Sequence, residues 1–381
     1  MKNVLNLCLR YYPASGGAED LNRIVLTNLK KYNINFINFT TALSDHIANK
    51  KLQLSAAQKK IDVSENTIRF SALKIPKTVY HIIPQFIING IRQNNIDLIH
   101  AWTMMYFLAF AGVILKYLKN KPVILNAIVD ENNIVYRKLF SNTLGKLVVN
   151  YSDCVVLLTE YSREVLEKYK FEPKNIEIIP AGVDVSEFDN CSEKSQYISS
   201  TKINILFVGR IAYGKGLDLL LNAVNILKKS KLEFQLNIVG PDFGMLQYCE
   251  KFISENNLEN EIKILGKISR TELVKIYKSS DIFILPSRYE AFGIVLIEAM
   301  AAKLPIISTN CSSIKYVVEN EKNGCLIEQE NYIDLAEKLR YLINNPQIRV
   351  QFGEYGYIIA QEKYSLPKVI EKYYRLYSRF F

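Results

Sequence analysis

Short runs of Val, Ile and Leu alternate with longer stretches of helical period from one end of the chain to the other, and this alternation limits the fold severely. The runs fall at 4–9, 34–39, 97–100, 123–127 and 154–158 in the first half, and at 203–208, 235–239, 262–265, 282–285 and 306–308 in the second. Their continuous apolar content suits strands buried on both faces, with the intervening helices as right-handed crossovers. The expected fold is α/β: two tandem Rossmann-like, doubly wound parallel-sheet domains. A length of 381 residues exceeds one ordinary core and agrees with two. The polar stretch 186–202 lacks periodicity and reads as a linker, which gives domains 1–190 and 191–362 and a Tyr-rich helical run at 363–381.

Composition narrows the function classes. Hydrophobic residues make up 49% and charged residues 23%, which excludes disordered and fibrous chains. Residues 4–9 read as a first strand, not as the apolar part of a signal peptide, and the apolar run 104–115, stopped by Lys116, is too short to span a bilayer and reads as a buried helix. The six cysteines (Cys8, Cys154, Cys191, Cys249, Cys311 and Cys325) show no metal or redox spacing, so reduced core thiols in a cytoplasmic protein are expected. The net charge of +10 suits an anionic partner, but the lysines are dispersed and no nucleic-acid-binding motif is present. Lys50, Lys51, Lys59, Lys60, Lys74 and Lys77 are interleaved with Leu52, Leu54, Phe70, Leu73, Ile75 and Tyr80. Such a segment suits the inner face of an anionic membrane as a peripheral contact; a plain solvated basic face is the alternative.

The chemistry concentrates in 286–301, which reads PSRYEAFGIVLIEAMA. Glu290 follows a strand, and Glu298 lies eight positions later, about two turns into a helix that opens near Phe292. Residues 291–294 would offer backbone N–H groups at the helix N-terminus, a ready anion site. Two carboxylates beside an anion site suit a ligand with both hydroxyls and phosphate, such as a nucleotide-sugar. Taken alone, the Glu-x7-Glu spacing also fits two solvated carboxylates.

The run resembles the donor-site signature of the family 4 (group 1) retaining glycosyltransferases of the GT-B fold, roughly P-S-x-x-E-x-F-G-x-x-x-x-E-A-M-A, with every fixed position met. Three further pieces follow the same family order: Gly16-Gly17-Ala18-Glu19, Ala181-Gly182-Val183-Asp184, and Gly209-Arg210 with Lys215-Gly216. The resemblance implies two domains facing a cleft, with a C-terminal helix crossing back to the first. It implies a hexosyltransferase moving a sugar from a nucleotide-sugar to a glycan or lipid-linked acceptor, with retention and without a metal or other cofactor. Arg210 and Lys215 would stabilise the departing diphosphate, and Glu290 would orient the transferred sugar. Glu298 would hold the ribose, while Phe292, Gly293 and Ile294 would complete the donor site. Gly16 and Gly17, expected to allow positive φ and close approach, would face the donor phosphates.

Two departures from the family pattern stand out. A histidine often follows the strand at 123–127, but here the stretch 123–130 reads VILNAIVD, and the chain's three histidines are His46, His81 and His100. Asn126 or Asp130 is a candidate replacement, and His100 reads as a satisfied core residue or as one reaching the cleft. Lys303 stands where glycine is frequent, at a helix end. A catalytically silent relative acting as a partner subunit and a nucleotide-sugar epimerase are the alternative functions. Acceptor recognition is implied for the loops 40–78 and 130–140, which carry no motif.

Overall fold

The computed structural model describes residues 1–381 except 15, 46–48, 77, 79, 105, 130, 132–140, 200 and 231, and the side chains of 45, 141 and 142. His46, Lys77, Asp130 and most of the loop 130–140 therefore lie outside the described residues. The chain forms two compact units: Met1–Ala181 with Val369–Phe381, and Gly182–Lys368. The division falls ahead of the polar stretch 186–202 because the chain is already packed into the second unit there. Val183 bridges to Ser365, and Phe188 is buried edge-on against Tyr277.

The first unit holds a seven-stranded parallel sheet. Its strands in chain order are β1 (Lys2–Leu7), β2 (Ile34–Thr41), β3 (Thr67–Phe70), β4 (Leu98–Trp102), β5 (Val123–Asn126), β6 (Cys154–Leu157) and β7 (Ile176–Ile178). Their spatial order is β7-β6-β5-β4-β1-β2-β3, so the winding reverses between β1 and β4. Helix α1 (Gly17–Leu29) follows β1, and α2 (Phe107–Lys119) follows β4. The apolar run at 104–115 thus contributes a helix that begins three residues later and ends at Asn120, in the left-handed conformation that closes helices. Among the described residues no helix is long and apolar enough to cross a membrane.

The second unit repeats the plan with six parallel strands: β8 (Ile203–Val208), β9 (Phe234–Val239), β10 (Ile262–Gly266), β11 (Ile282–Leu285), β12 (Ile306–Thr309) and β13 (Gly324–Ile327). Their order is β10-β9-β8-β11-β12-β13, with the reversal between β8 and β11. Helix α3 (Leu217–Lys228) follows β8, α4 (Arg270–Lys278) follows β10, and α5 (Ile294–Ala301) follows β11. The apolar runs mark the inner strands well: all residues of β4, β5, β6, β9, β11 and β12 are buried. The strands without such a run, β3, β7 and β13, are three of the four sheet edges, where one flank faces solvent or loops; the fourth edge, β10, carries the run 262–265.

The two faces of the first sheet differ in chemistry. Leu5, Leu7, Ile99, Ala101, Val123 and Leu125 share one apolar cluster with α2 residues such as Leu108 and Leu115. The alternate positions Asn6, His100, Trp102 and Asn126 form a buried polar row instead. Trp102 donates to Asn6 Oδ1 at 2.8 Å, and Asn6 Nδ2 donates to Asn38 Oδ1 at 2.7 Å. His100 Nε2 lies 3.0 Å from Asn126 Oδ1, and Asn126 Nδ2 donates to Tyr373 Oη at 2.7 Å. Because the Asn126 oxygen accepts from Nε2, His100 Nδ1 is the acceptor for the Tyr377 hydroxyl. Tyr373 and Tyr377 belong to the C-terminal helix Leu366–Ser378, so this network fastens its last turns to the first sheet. His100 is a satisfied core histidine, and the Asn126 amide is fully engaged within the fold.

Burial pushes the His100 imidazole down to about 4, so it stays neutral in the folded unit. The unfolded chain takes up that proton first on acidification, and stability rises with pH between about 4 and 6.5. Denaturant unfolding of the first unit should lose about 3 kcal/mol across that window, and His100→Gln should flatten the loss. An equal slope in the variant would refute the assignment.

Candidate functional site

The crevice at the carboxyl ends of strands, where winding reverses, is where open parallel sheets bind ligands. In the second unit the ends of β8 and β11 lead into Gly209–Gly216 and Pro286–Glu290, which are the segments singled out in the sequence. The two loops are fixed to each other. Gly216 has φ +67°, and a Cβ there would lie 2.0 Å from the Pro286 carbonyl oxygen, so no other residue fits. The Arg288 N–H donates to Gly214 O at 2.9 Å.

Lys215 and Glu290 form an ion pair, and Ser287 Oγ donates to the same carboxylate oxygen at 3.0 Å. Both side chains are largely buried, with 17% and 11% of their surface exposed, so the pair is only partly screened by solvent. Arg210 stands apart from this pair: it is exposed, with its guanidinium 5.1 Å from the Phe243 ring centre. Gly293 has φ +84° and opens α5, whose first N–H groups have no carbonyl one turn back. Phe292 is buried edge-on against Tyr364, so its ring packs in the core and only its backbone borders the helix start.

Glu298 lies on α5 and is 8% exposed. One of its oxygens pairs with Arg270, and the other accepts from the Tyr277 hydroxyl at 3.0 Å. Arg270 also bonds Glu187 at 2.6 and 3.0 Å. Burial, reinforced by Glu298, raises the Tyr277 pKa well above its ordinary value, which keeps the hydroxyl a donor. For Arg270 burial acts to lower the pKa, but Glu298 and Glu187 outweigh it. Each carboxylate oxygen accepts more than one hydrogen bond, so Glu298 keeps capacity for a ligand hydroxyl while being held in place.

Arg288 was not singled out in the sequence, yet it organises this end of the sheet. It makes two bonds to Asp218 at 2.8 Å, two to Glu330 at 2.7 and 2.8 Å, and one to Tyr213 O at 2.6 Å. The Tyr213 ring also stacks on its guanidinium at 3.7 Å. Arg270 and Tyr277 were missed as well. They reach Glu298 across 28 and 21 positions of sequence, and no local pattern marks them. Lys303 takes φ +61° just past α5, and its neighbour's N–H closes the helix by donating to Ala299 O at 2.9 Å. The family glycine and this lysine therefore serve one backbone conformation.

Gly16 and Gly17 lie in the first unit, and neither has left-handed backbone: φ at Gly16 is an extended 167°, and Gly17 begins α1. A Cβ at 16 would meet the carboxylate end of the Glu19 side chain at 2.4 Å, a flexible group that can give way, so neither backbone conformation nor rigid packing demands glycine there. That carboxylate pairs with Arg10 at 2.7 Å. The six cysteines are all free; Cys191 is half-buried and the others are buried.

The profile of the family "Glycosyl transferases group 1" matches residues 191–358, and that of "Glycosyltransferase Family 4" matches 67–187. The chain belongs to the group 1 glycosyltransferases, enzymes of the GT-B fold. An uncharacterized glycosyltransferase of Haemophilus influenzae is 34% identical over 240 residues, which span 61% of this chain and 63% of that protein. Sucrose-phosphate synthase of Thermosynechococcus elongatus superposes with a TM-score of 0.82 at 19% identity, covering 100% of this chain and 99% of that one. Anabaena HepE, solved in complex with UDP-glucose, gives a TM-score of 0.77 at 18% identity with both chains fully covered (100% each). At these identities the two structural likenesses are of fold.

Arg288→Ala should lower the unfolding free energy of the second unit by about 2 kcal/mol, less than a fully buried pair because Glu330 is half exposed. Arg288→Lys should recover little, since one ammonium cannot replace two forked contacts. Urea unfolding of the three proteins checks this, and a silent Arg288→Ala change would contradict it.

Proposed function

We propose that this chain transfers a sugar from a nucleoside-diphosphate sugar to a hydroxyl of a glycan or lipid-linked acceptor, with retention of anomeric configuration and without a metal. The observation that carries this reading is the buried Lys215–Glu290–Ser287 cluster at the β8/β11 switch point, beside the N-terminus of α5. Cleaving a sugar–phosphate bond leaves growing negative charge on the diphosphate. Lys215, Arg210 and the α5 N–H groups supply fixed positive potential for it, and each such donor is worth roughly 3 kcal/mol in related chemistry. In the resting site Lys215 is neutralised by Glu290. A donor phosphate would draw Lys215 away and leave Glu290 to accept hydroxyls of the transferred sugar, easing charge at an oxocarbenium-like centre. Glu298, held by Arg270 and Tyr277, would accept the ribose hydroxyls.

The likeness to HepE, itself crystallised with UDP-glucose, supports a nucleotide-sugar as the donor class. A peripheral contact with anionic lipid on the cytoplasmic side remains part of the proposal. Lys50, Lys51, Lys59 and Lys60 are exposed, as are Leu73 and Ile75, whereas Phe70 packs inward against Phe39 and Phe86.

The two carboxylates should separate kinetically. Glu298→Ala should weaken nucleotide-sugar binding with little change in kcat, whereas Glu290→Ala should reduce kcat by at least tenfold with a smaller change in affinity. Calorimetric titration together with turnover assays distinguishes these outcomes, and an equal loss of affinity in both variants would contradict the roles.

A further inference from the structure

The cations near the strand ends of the second unit are restrained in two different ways. Lys215 is paired with Glu290, Arg288 with Asp218 and Glu330, and Arg270 with Glu298 and Glu187, so each spends charge and donors on carboxylates. Arg210 makes no ion pair among the described residues. Its guanidinium lies 5.1 Å from the centre of the Phe243 ring, within cation–π range. Phe243 is 53% exposed, and what sets it apart from a scattered surface apolar residue is how its backbone is held. Its N–H donates to Ile211 O at 2.9 Å, and the Ile211 N–H donates to Pro241 O at 2.9 Å. This bridge ties the loop after β9 to the residue next to Arg210. One residue before Phe243, Asp242 Oδ1 accepts from the N–H groups of Gly244, Met245 and Leu246 at 2.8, 3.1 and 3.1 Å, fixing the loop to the start of the helix Leu246–Glu255. Ring and guanidinium thus project from two short segments that are hydrogen-bonded to each other.

The two kinds of restraint leave a cation in different states. A carboxylate holds it by cancelling its charge and occupying its N–H donors, and an arriving phosphate must displace that partner. A ring face attracts the charge through its quadrupole and brings no oxygen, so the guanidinium is held while its donors stay available. We propose that Phe243 is a positioning residue whose ring holds Arg210 as a preformed, uncompensated receptor for phosphate oxygens. Those phosphates are the donor's in the function proposed above, so the assignment rests on that reading and deepens it. An arginine free at the surface samples many rotamers, and ordering it on a ligand opposes binding. The ring orders the side chain before the ligand arrives, which is where the gain in affinity originates. Phe243 does this without touching a reacting atom.

The test uses the full chain and its Phe243→Leu, Phe243→Tyr and Arg210→Ala variants, with Phe243→Leu also placed in the Arg210→Ala background. Titrations with UDP, GDP and ADP read diphosphate binding, thermal unfolding reads stability, and 15N relaxation at Arg210 Nε reads the order of that side chain without ligand. For whichever nucleotide binds the unsubstituted chain, Phe243→Leu should raise Kd about three- to fivefold, the scale of an exposed cation–π contact. Its Tm should stay unchanged while Arg210 Nε becomes mobile. Phe243→Tyr keeps the ring face and should restore both Kd and order. In the Arg210→Ala background, Phe243→Leu should leave Kd where Arg210→Ala alone put it. The inference is overturned by a Kd that Phe243→Leu does not change, by Phe243→Tyr failing to restore it, or by an equal loss with and without Arg210. An Arg210 side chain as ordered in Phe243→Leu as in the unsubstituted chain overturns it too. The equal loss is what a ring that stacks on the ligand, or merely packs, would give. Each of those binding outcomes leaves the donor reading standing, because a nucleotide still binds. Binding of none of the three nucleotides defeats the donor reading and with it the phosphate role of Arg210, while the relaxation comparison still decides whether Phe243 orders that side chain.

Discussion

The Pro286 carbonyl occupies the place where a side chain on Gly216 would begin, at 2.0 Å, and the second unit's site depends on that contact. It brings the loop after β8 against the loop after β11 at the reversal of winding. Lys215 and Glu290, 75 positions apart in sequence, then meet without either loop being long. Arg288 holds the same junction from outside by tying Tyr213, Asp218 and Glu330 together. The geometry of such a site is set by supporting contacts as much as by the groups that line it.

The first unit solves a different problem. Its sheet carries an apolar face under α2 and a polar row of Asn6, His100, Trp102 and Asn126 on the other side. Polar groups so deeply buried are tolerated because each is bonded, two of them to tyrosines of the C-terminal helix. The same row makes the return of the chain to its first unit specific, since an apolar helix face could dock in several registers.

Much of this was legible in the sequence, and the limits have physical causes. Inner strands announce themselves because both faces are buried, so β4, β9 and β11 appear as apolar runs; the edge strands β3 and β7, with sequences TIRF and IEI, do not. The Glu290 and Glu298 segment was visible because a strand end, a turn and a helix start must follow in close succession. The partners of Glu298 were invisible, since Arg270 and Tyr277 arrive from another βα unit. Asn126 resembled a substitute for the missing histidine only while its neighbours were unknown; the fold commits its amide to His100 and Tyr373. Gly16 was read for backbone freedom, whereas its backbone is extended and its one close neighbour is the movable end of the Glu19 side chain.

In the function proposed above, the second unit binds a nucleoside diphosphate through fixed cations and a helix N-terminus, with no metal bridging the phosphates. Calorimetric titration of the full chain with UDP-, GDP- and ADP-sugars and their diphosphates, in magnesium and in EDTA, tests it most directly. Saturable binding of one nucleotide family, unchanged by EDTA, is the result predicted. Binding that appears only with magnesium, or no binding to any member of the panel, would contradict it.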